Sequence, residues 1–243
     1  MRAICVTPVR DSQSIKTTPH RVTEPTSRKD TTMNAQNPNS PRPAHDVRTA
    51  RLAAVALLAA VLPTPTAAEL CASCNPWDIP DYAGSLIVPG LFQGGTEDDD
   101  VVFYGRSERY ADAVPYDFIV TLYATASPAP WGVEEVRYGF YDSALHHDDV
   151  VRVVRAARFA YQRWTEGDNV LIRCQAGMNR SGLVTALVLI MAGLTPGQAI
   201  TLIRERRSPG ALFNEHFVEW LIDNGEQAAA TARIISPSFR PAA

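Results

Sequence analysis

The sequence predicts an α/β fold, with a central, mostly parallel sheet flanked by helices. Three observations point to it. Residues 117–123 (DFIVTLY) and 170–174 (VLIRC) are short, nearly continuous apolar runs, the pattern of strands buried on both faces. Residues 181–192 are apolar almost all round at helical length, which suits a helix at the centre of a domain. Between them, strand patterns alternate with helix patterns, the order that builds parallel sheets.

Taken along the chain, residues 85–88 and 91–93 read as short strands split by Pro89-Gly90, a turn dipeptide. Residues 117–123 form the next strand, and 135–140 alternate as a further one. Asp148 or Asp149 can cap a helix over 150–164, where Val150, Val154, Ala157, Tyr161 and Trp164 recur at helical spacing and Gly167 ends the run. After the strand at 170–174 comes the central helix, closed by Gly193. Thr195-Pro196-Gly197-Gln198 carries a cap, a proline at the first helical position and a glutamine at the third, so a helix is expected from there to about Arg206. Ser208-Pro209-Gly210 turns the chain, and Asn214 can cap a last helix through Ile222.

The domain divisions expected are a polar tail over 1–46, an apolar Ala/Leu segment over 47–73, the folded domain over 74–225 and a C-terminal tail over 226–243. The tail is rich in Ser, Thr, Pro and Asn, the composition of a disordered segment. It holds seven basic and four acidic residues, so it is basic while the chain as a whole carries −3. The remainder is therefore acidic, unlike the basic footprint of a nucleic-acid binder. Both lysines of the chain, Lys16 and Lys29, lie in the tail, so any cation at a site in the domain is Arg or His. The run LAAVALLAAVL at 52–62 is too short to span a bilayer, which takes about 20 residues. It reads either as a signal-peptide core with small residues near Ala67 and Ala68, or as a helix packed on the domain. A cytoplasmic location is expected, with secretion as the alternative if 48–68 are a signal peptide. Of the four cysteines, Cys71 and Cys74 form a lone C-x-x-C, a weak redox signal, and no metal-ligand set is visible.

The informative segment is Cys174-Gln175-Ala176-Gly177-Met178-Asn179-Arg180-Ser181-Gly182. A cysteine at a strand end is followed six positions on by an arginine at the start of a helix. Backbone N–H groups of Gln175, Ala176, Gly177, Met178, Asn179 and Arg180 can turn inward as a nest for an anion. The helix adds its positive end, and the Arg180 guanidinium matches two oxygens of a phosphate. The same positive field favours the thiolate of Cys174, the nucleophilic form. Gly177 permits backbone geometry that a side chain would obstruct.

CQAGMNRSG resembles the C-x5-R-[ST] loop of the protein tyrosine phosphatase superfamily, and its surroundings resemble the dual-specificity branch: LFQGG is similar to an early strand-and-glycine segment, and 115–221 follow the family order. The resemblance covers roughly 85–222. It implies a hydrolase of phosphoric monoesters with Cys174 as nucleophile, Arg180 as phosphate clamp and Ser181 assisting the sulfur as a leaving group. It also implies a general acid about thirty residues upstream on a loop after a strand, a place filled by Asp142 in Phe140-Tyr141-Asp142-Ser143. Asp148 and Asp149 read better as helix-start residues, and His146 and His147 as exposed loop residues. No metal or organic cofactor is implied, and the partner is a phosphorylated protein or peptide.

Two features depart from the family. The residue before the nucleophile is Arg173 rather than His, and by strand alternation its side chain should point to the opposite face from Cys174. The loop also lacks the Lys of many inositide phosphatases, which points away from highly charged lipid headgroups. Three readings follow: a protein phosphatase acting on phosphotyrosine, and on phosphoserine or phosphothreonine as well; an RNA 5′-phosphatase or small-phosphate phosphatase, because Gly-x-Asn-Arg also resembles RNA 5′-triphosphatase loops; or a phosphate-binding module with little turnover.

Overall fold

A computed structural model describes residues 44–72, 84–96, 116–129 and 131–234 of the 243-residue chain, all within one compact unit, Pro41–Ala243. The expectations for Cys74, for the polar tail before residue 44 and for the C-terminal tail beyond residue 234 lie outside the described residues. Five strands form one sheet in the order β1-β2-β5-β3-β4: β1 Gly84–Val88, β2 Leu91–Gly94, β3 Phe118–Thr121, β4 Glu134–Arg137 and β5 Val170–Arg173. β1 pairs antiparallel with β2 through the Pro89-Gly90 turn, and the other three pairings are parallel. The fold class is the one the sequence predicts. β3 and β4 are shorter than their apolar patterns, because the ladder stops at the aligned trio Thr121, Arg137 and Arg173. Beyond it Leu122 and Phe140 stay buried but leave the sheet.

Strand alternation divides the core in two. Leu91, Phe118, Val120, Val170, Ile172 and Cys174 face the main core under the helices, whereas Phe92, Ile119 and Leu171 face a smaller cluster with Tyr116, Ala129 and Val133. The helices are α1 Ala44–Val61, α2 Ala67–Ala72, α3 His147–Glu166, α4 Arg180–Ala192, α5 Pro196–Arg206 and α6 Glu215–Ile234. α4 is the central one. Residues Ser181 to Met191 are all buried, which is why its sequence has no polar side. Thr195 and Gln198 form the expected box at the start of α5.

Two helix ends differ from expectation. α3 starts earlier, with His146 at the cap position; the Asp149 carboxylate reaches back to accept from the His146 amide N–H at 3.2 Å and also binds Arg152 at 2.9 Å. Asp149 therefore sits inside the first turn rather than ahead of it. α6 continues beyond Ile222 to Ile234, because Gly225, Ala229 and Ala232 present small side chains to the core and let the helix lie close to it. Gly225 lies against Ile190 of α4 and Pro196 of α5.

The Ala/Leu run forms α1, which packs with Val55 fully buried and Leu52, Leu58 and Leu62 against the main core. Polar bonds tie this segment down. The Arg51 guanidinium donates to the carbonyls of Trp164, of Gly167 at 2.9 Å and of Asp168 at 2.8 Å, where α3 ends and its last carbonyls have no helical partner. Gln198 donates to the Ala59 and Leu62 carbonyls at 2.8 and 3.0 Å, and Arg204 donates to that of Leu70. Among the described residues no helix is long and apolar enough to cross a membrane.

Removing the Arg51 cap strands the Gly167 and Asp168 carbonyls at the turn that leads into β5, while that of Trp164 keeps the Gly167 amide. Arg51→Ala is expected to lower stability by about 1–3 kcal/mol, read as a lower urea midpoint at an unchanged slope.

Candidate active site

The parallel strands β5 and β3 end at the same edge of the sheet, and the segment from Cys174 to Arg180 curls over that edge before α4 begins. Its shape is set from outside. The Gln175 carbonyl accepts from the Thr96 amide at 3.0 Å. The Ala176 carbonyl accepts from the Arg207 Nη2 at 3.3 Å, and that of Gly177 from Arg207 Nε and Gln93 Nε2, both at 3.1 Å. The Met178 carbonyl accepts from the Leu212 amide at 3.3 Å. In a trans peptide the N–H points opposite to the C=O. Four carbonyls held outward therefore turn the N–H groups of Ala176, Gly177, Met178 and Asn179 to the inside of the loop, the arrangement of an anion nest.

Two residues bear the cost of this curvature. Gly177 has φ +71, and a Cβ there would lie 2.4 Å from the backbone of Gly94 and Gly95. Leu212 is the one non-glycine residue with positive φ among those described, at 58, which costs about 1–2 kcal/mol. It is held there because its amide serves Met178 while its carbonyl and that of Ala211 accept from the buried Arg204 at 3.0 Å each.

Inside the loop, Cys174 is 2% exposed, and its Sγ lies 3.3 Å from Ser181 Oγ, itself fully buried on the first turn of α4. Arg180 stacks over the Tyr123 ring with its guanidinium carbon 5.4 Å from the centroid. It reaches the carbonyls of Leu122 and Phe140 at 3.5 and 3.4 Å and the Gln175 amide oxygen at 3.3 Å. Its Nε is buried with no partner. A buried charged N–H without an acceptor is costly, and here it belongs to the residue that closes the loop of inward amides. The arrangement can hold a tetrahedral oxyanion against a sulfur nucleophile.

Asp142 lies on the loop after β4, exposed to solvent, and is joined to the cysteine loop. Its Oδ2 accepts from Asn179 Nδ2 at 3.0 Å and its Oδ1 from Asn214 Nδ2 at 2.8 Å. The other acidic and imidazole groups nearby do not share that place. His146, His147 and Asp148 are exposed, and Asp149 serves the start of α3. Cys71 is half-buried and free, and burial pushes its thiol above the ordinary range.

Arg173 turns away from this chemistry, onto the opposite face of the sheet. Its Nε donates to Thr121 Oγ1 at 2.8 Å, and its Nη2 to the Ser127 carbonyl at 2.6 Å and Glu135 Oε1 at 3.1 Å. Burial pushes the Glu135 carboxyl up, but the Thr121 hydroxyl, the Ala129 amide, Arg173 and Arg137 outweigh it and hold it below the usual range. A group depressed in this way stabilises the fold above its unfolded value of about 4.5, and that stabilisation is lost as pH falls through the folded one. Glu135→Gln is expected to be less stable than the parent at pH 7 and to lose less on going to pH 3.5, so the two stability curves converge in acid; denaturant titrations across that interval measure it.

Gln93, Thr96, Arg207 and Leu212 hold the loop yet carry no motif of their own. The one signal available was Gln93, a polar residue directly after the apolar pair Leu91-Phe92 in LFQGG. No protein-family model matches the chain, and none of the curated proteins matches it in sequence. Solved structures do match. Human DUSP28 is 21% identical, with a TM-score of 0.51, over 63% of this chain and 98% of that one. A single-substitution form of the same human protein is 22% identical, with a TM-score of 0.50, over 61% and 97%. This likeness is one of fold: the chain has the fold of the dual-specificity phosphatases of the protein tyrosine phosphatase superfamily.

Proposed function

We propose that the protein is a cysteine-dependent phosphatase that hydrolyses phosphomonoesters on proteins, phosphotyrosine first, through a phosphocysteine on Cys174. The observation that carries the proposal is the unpartnered, buried Nε of Arg180 beside a loop whose amides turn inward around Cys174. The inward amides and Arg180 hold the three non-bridging oxygens, and charge stabilisation of this kind is the main requirement of phosphoryl transfer. The Cys174 thiolate attacks phosphorus. The S–P bond forms as the bond to the ester oxygen breaks, and the carboxyl proton of Asp142 goes to that oxygen. Asp142, now a carboxylate, takes a proton from water as the water oxygen attacks phosphorus. The S–P bond then breaks, and the Ser181 hydroxyl donates to the departing sulfur at its 3.3 Å position.

Exposed aromatic side chains support an aryl ester as the preferred substrate. Tyr141 directly precedes Asp142, and Phe213 directly precedes Asn214; they are 83% and 41% exposed, beside the residues that meet at the mouth. Such rings stack against a phenyl ring at little conformational cost. The acidic balance of the domain favours a protein substrate over a nucleic acid. The proposed reaction belongs in the cytoplasm. We extend the proposal to the domain limits: the functional unit begins with α1, because Arg51, Gln198 and Arg204 bind the 44–72 segment to the same helices that carry the site.

Cys174→Ser is expected to abolish turnover of an aryl phosphate while thermal stabilisation by tungstate persists, because the amides and Arg180 remain. Appreciable turnover by that variant would remove the covalent step. Asp142→Ala should lose about 10²–10⁴-fold on phosphoserine peptides, whose alkoxide needs a proton. It should lose far less on aryl phosphates with acidic phenols, which leave unaided. Equal losses across the series would remove Asp142 from this role. A panel of phosphotyrosine, phosphothreonine, inositide and RNA 5′-phosphate substrates tests the class, and a preference for either of the last two overturns it.

A further inference from the structure

Asp142 sits on a loop without regular structure, and residues 141–144 are all exposed. Left alone, its carboxyl would sample several rotamers. A general acid has to lie within hydrogen-bond reach of the leaving oxygen, and small misplacements are costly. Something must therefore aim it.

We infer that Asn214 is a positioning residue, which aims Asp142 by indexing it to the cysteine loop; the inference rests on the reading of Asp142 as the general acid. Each Asp142 oxygen accepts from a different amide: Oδ2 from Asn179 at 3.0 Å and Oδ1 from Asn214 at 2.8 Å. The two asparagines are themselves joined, since the Asn214 backbone N–H donates to Asn179 Oδ1 at 3.1 Å. Asn179 is 2% exposed and directly precedes Arg180. The acid is thus tied in both oxygens to the segment that holds the phosphate.

Asn214 has a second bond that fixes which way its amide faces. Its Oδ1 accepts from the His216 amide at 3.1 Å, capping the start of α6. With the oxygen committed there, the NH₂ group faces Asp142, and a flipped amide would set oxygen against oxygen. Capping alone does not call for asparagine, because Asp and Ser cap helices equally well. Only an amide both accepts from the helix and donates to a carboxylate. The pairing also directs the proton. When Asp142 is protonated, each of its oxygens already accepts one amide bond, so the O–H occupies a remaining lone-pair position and points away from both asparagines.

The test replaces the donor and keeps the cap. Asn214→Ser retains an oxygen for the His216 amide but loses the N–H that reaches Asp142. We expect a melting temperature near the parent's, and roughly 10–100-fold lower kcat on a phosphoserine peptide with little change in KM. On an aryl phosphate with an acidic phenol, kcat should fall much less. In a double-mutant cycle, Asp142→Ala with Asn214→Ser should be no worse on the phosphoserine peptide than Asp142→Ala alone, because Asn214 acts through Asp142. Equal losses for both leaving groups, an additive double variant, or unchanged kcat would overturn the inference. The two readings separate cleanly. If Asp142→Ala shows the leaving-group dependence and Asn214→Ser does not, only the positioning role falls. If Asp142→Ala lacks that dependence, the acid assignment falls and takes the positioning role with it.

Discussion

Everything at this site depends on four carbonyl groups being held outward. The carbonyls of Gln175, Ala176, Gly177 and Met178 are taken by donors from Thr96, Arg207, Gln93 and Leu212. Left to solvent, a seven-residue loop would show amides and carbonyls alike to any ligand, and the carbonyls would repel an anion. Capture of the acceptors from behind leaves a concave surface of donors. The donors come from segments on both sides of the loop in sequence, at residues 93–96 and 207–212, so the nest exists only in the assembled fold. Arg207 illustrates the scale of the commitment. It is 3% exposed and spans the Ala176 and Gly177 carbonyls and the Ser85 hydroxyl with one rigid guanidinium, a geometry a lysine could not reproduce.

The two-residue period of β5 then sorts its cations. Ile172 and Cys174 face the helices, while Leu171 and Arg173 face the other side. Arg173 and Arg180 are therefore separated by the sheet edge despite their closeness in sequence. Arg180 keeps a buried donor unpaired, whereas the Arg173 guanidinium closes a network with Thr121, Ser127 and Glu135 that joins β5, β3 and β4 where the ladder ends. Arg173, at the place where the resembled phosphatases carry a histidine, thus serves the strand ends from which the loops depart. In the proposed mechanism the sulfur is activated by the loop amides, the helix end and Arg180, without help from its immediate neighbour.

How much of this the sequence could disclose follows from the range of each interaction. The buried strands, the all-apolar α4, the box at Thr195 and the Cys174–Arg180 spacing are local patterns, and each was readable because its cause lies within a few residues. The early start of α3 at His147 was hidden because an aspartate at the third helical position and one at the cap look alike in sequence. The extension of α6 to Ile234 was hidden for another reason. Ala and Gly at its contact positions are small because the helix lies close to the core, and in sequence they resemble a weakly apolar tail. Arg207 and Leu212 were beyond reading, since their partners lie roughly thirty residues away and nothing local marks them. Asn214 was half readable. Its capping role is local, but its bond to Asp142 crosses more than seventy residues.

The division between the buried and exposed halves of the site has a chemical logic. Cys174, at the end of β5, and Ser181, on the buried helix α4, are closed off from water and fixed to the core at both ends of the loop. That suits the proposed nucleophile and oxyanion cradle, which in the proposed reaction act in the same position in both steps and lose strength if water enters. Asp142 has the opposite requirement. In the proposed cycle it gives up a proton in the first step and accepts one from water in the second, so it must meet solvent between them. A buried acid could not exchange so readily, and an exposed one would wander. The pair of asparagines resolves the conflict: they hold both oxygens of a solvent-exposed carboxylate in hydrogen bonds that persist in either protonation state. In the proposed cycle the site thereby gains precise placement of its acid without burying it, through an amide at two positions that the loop and the last helix already had to fill.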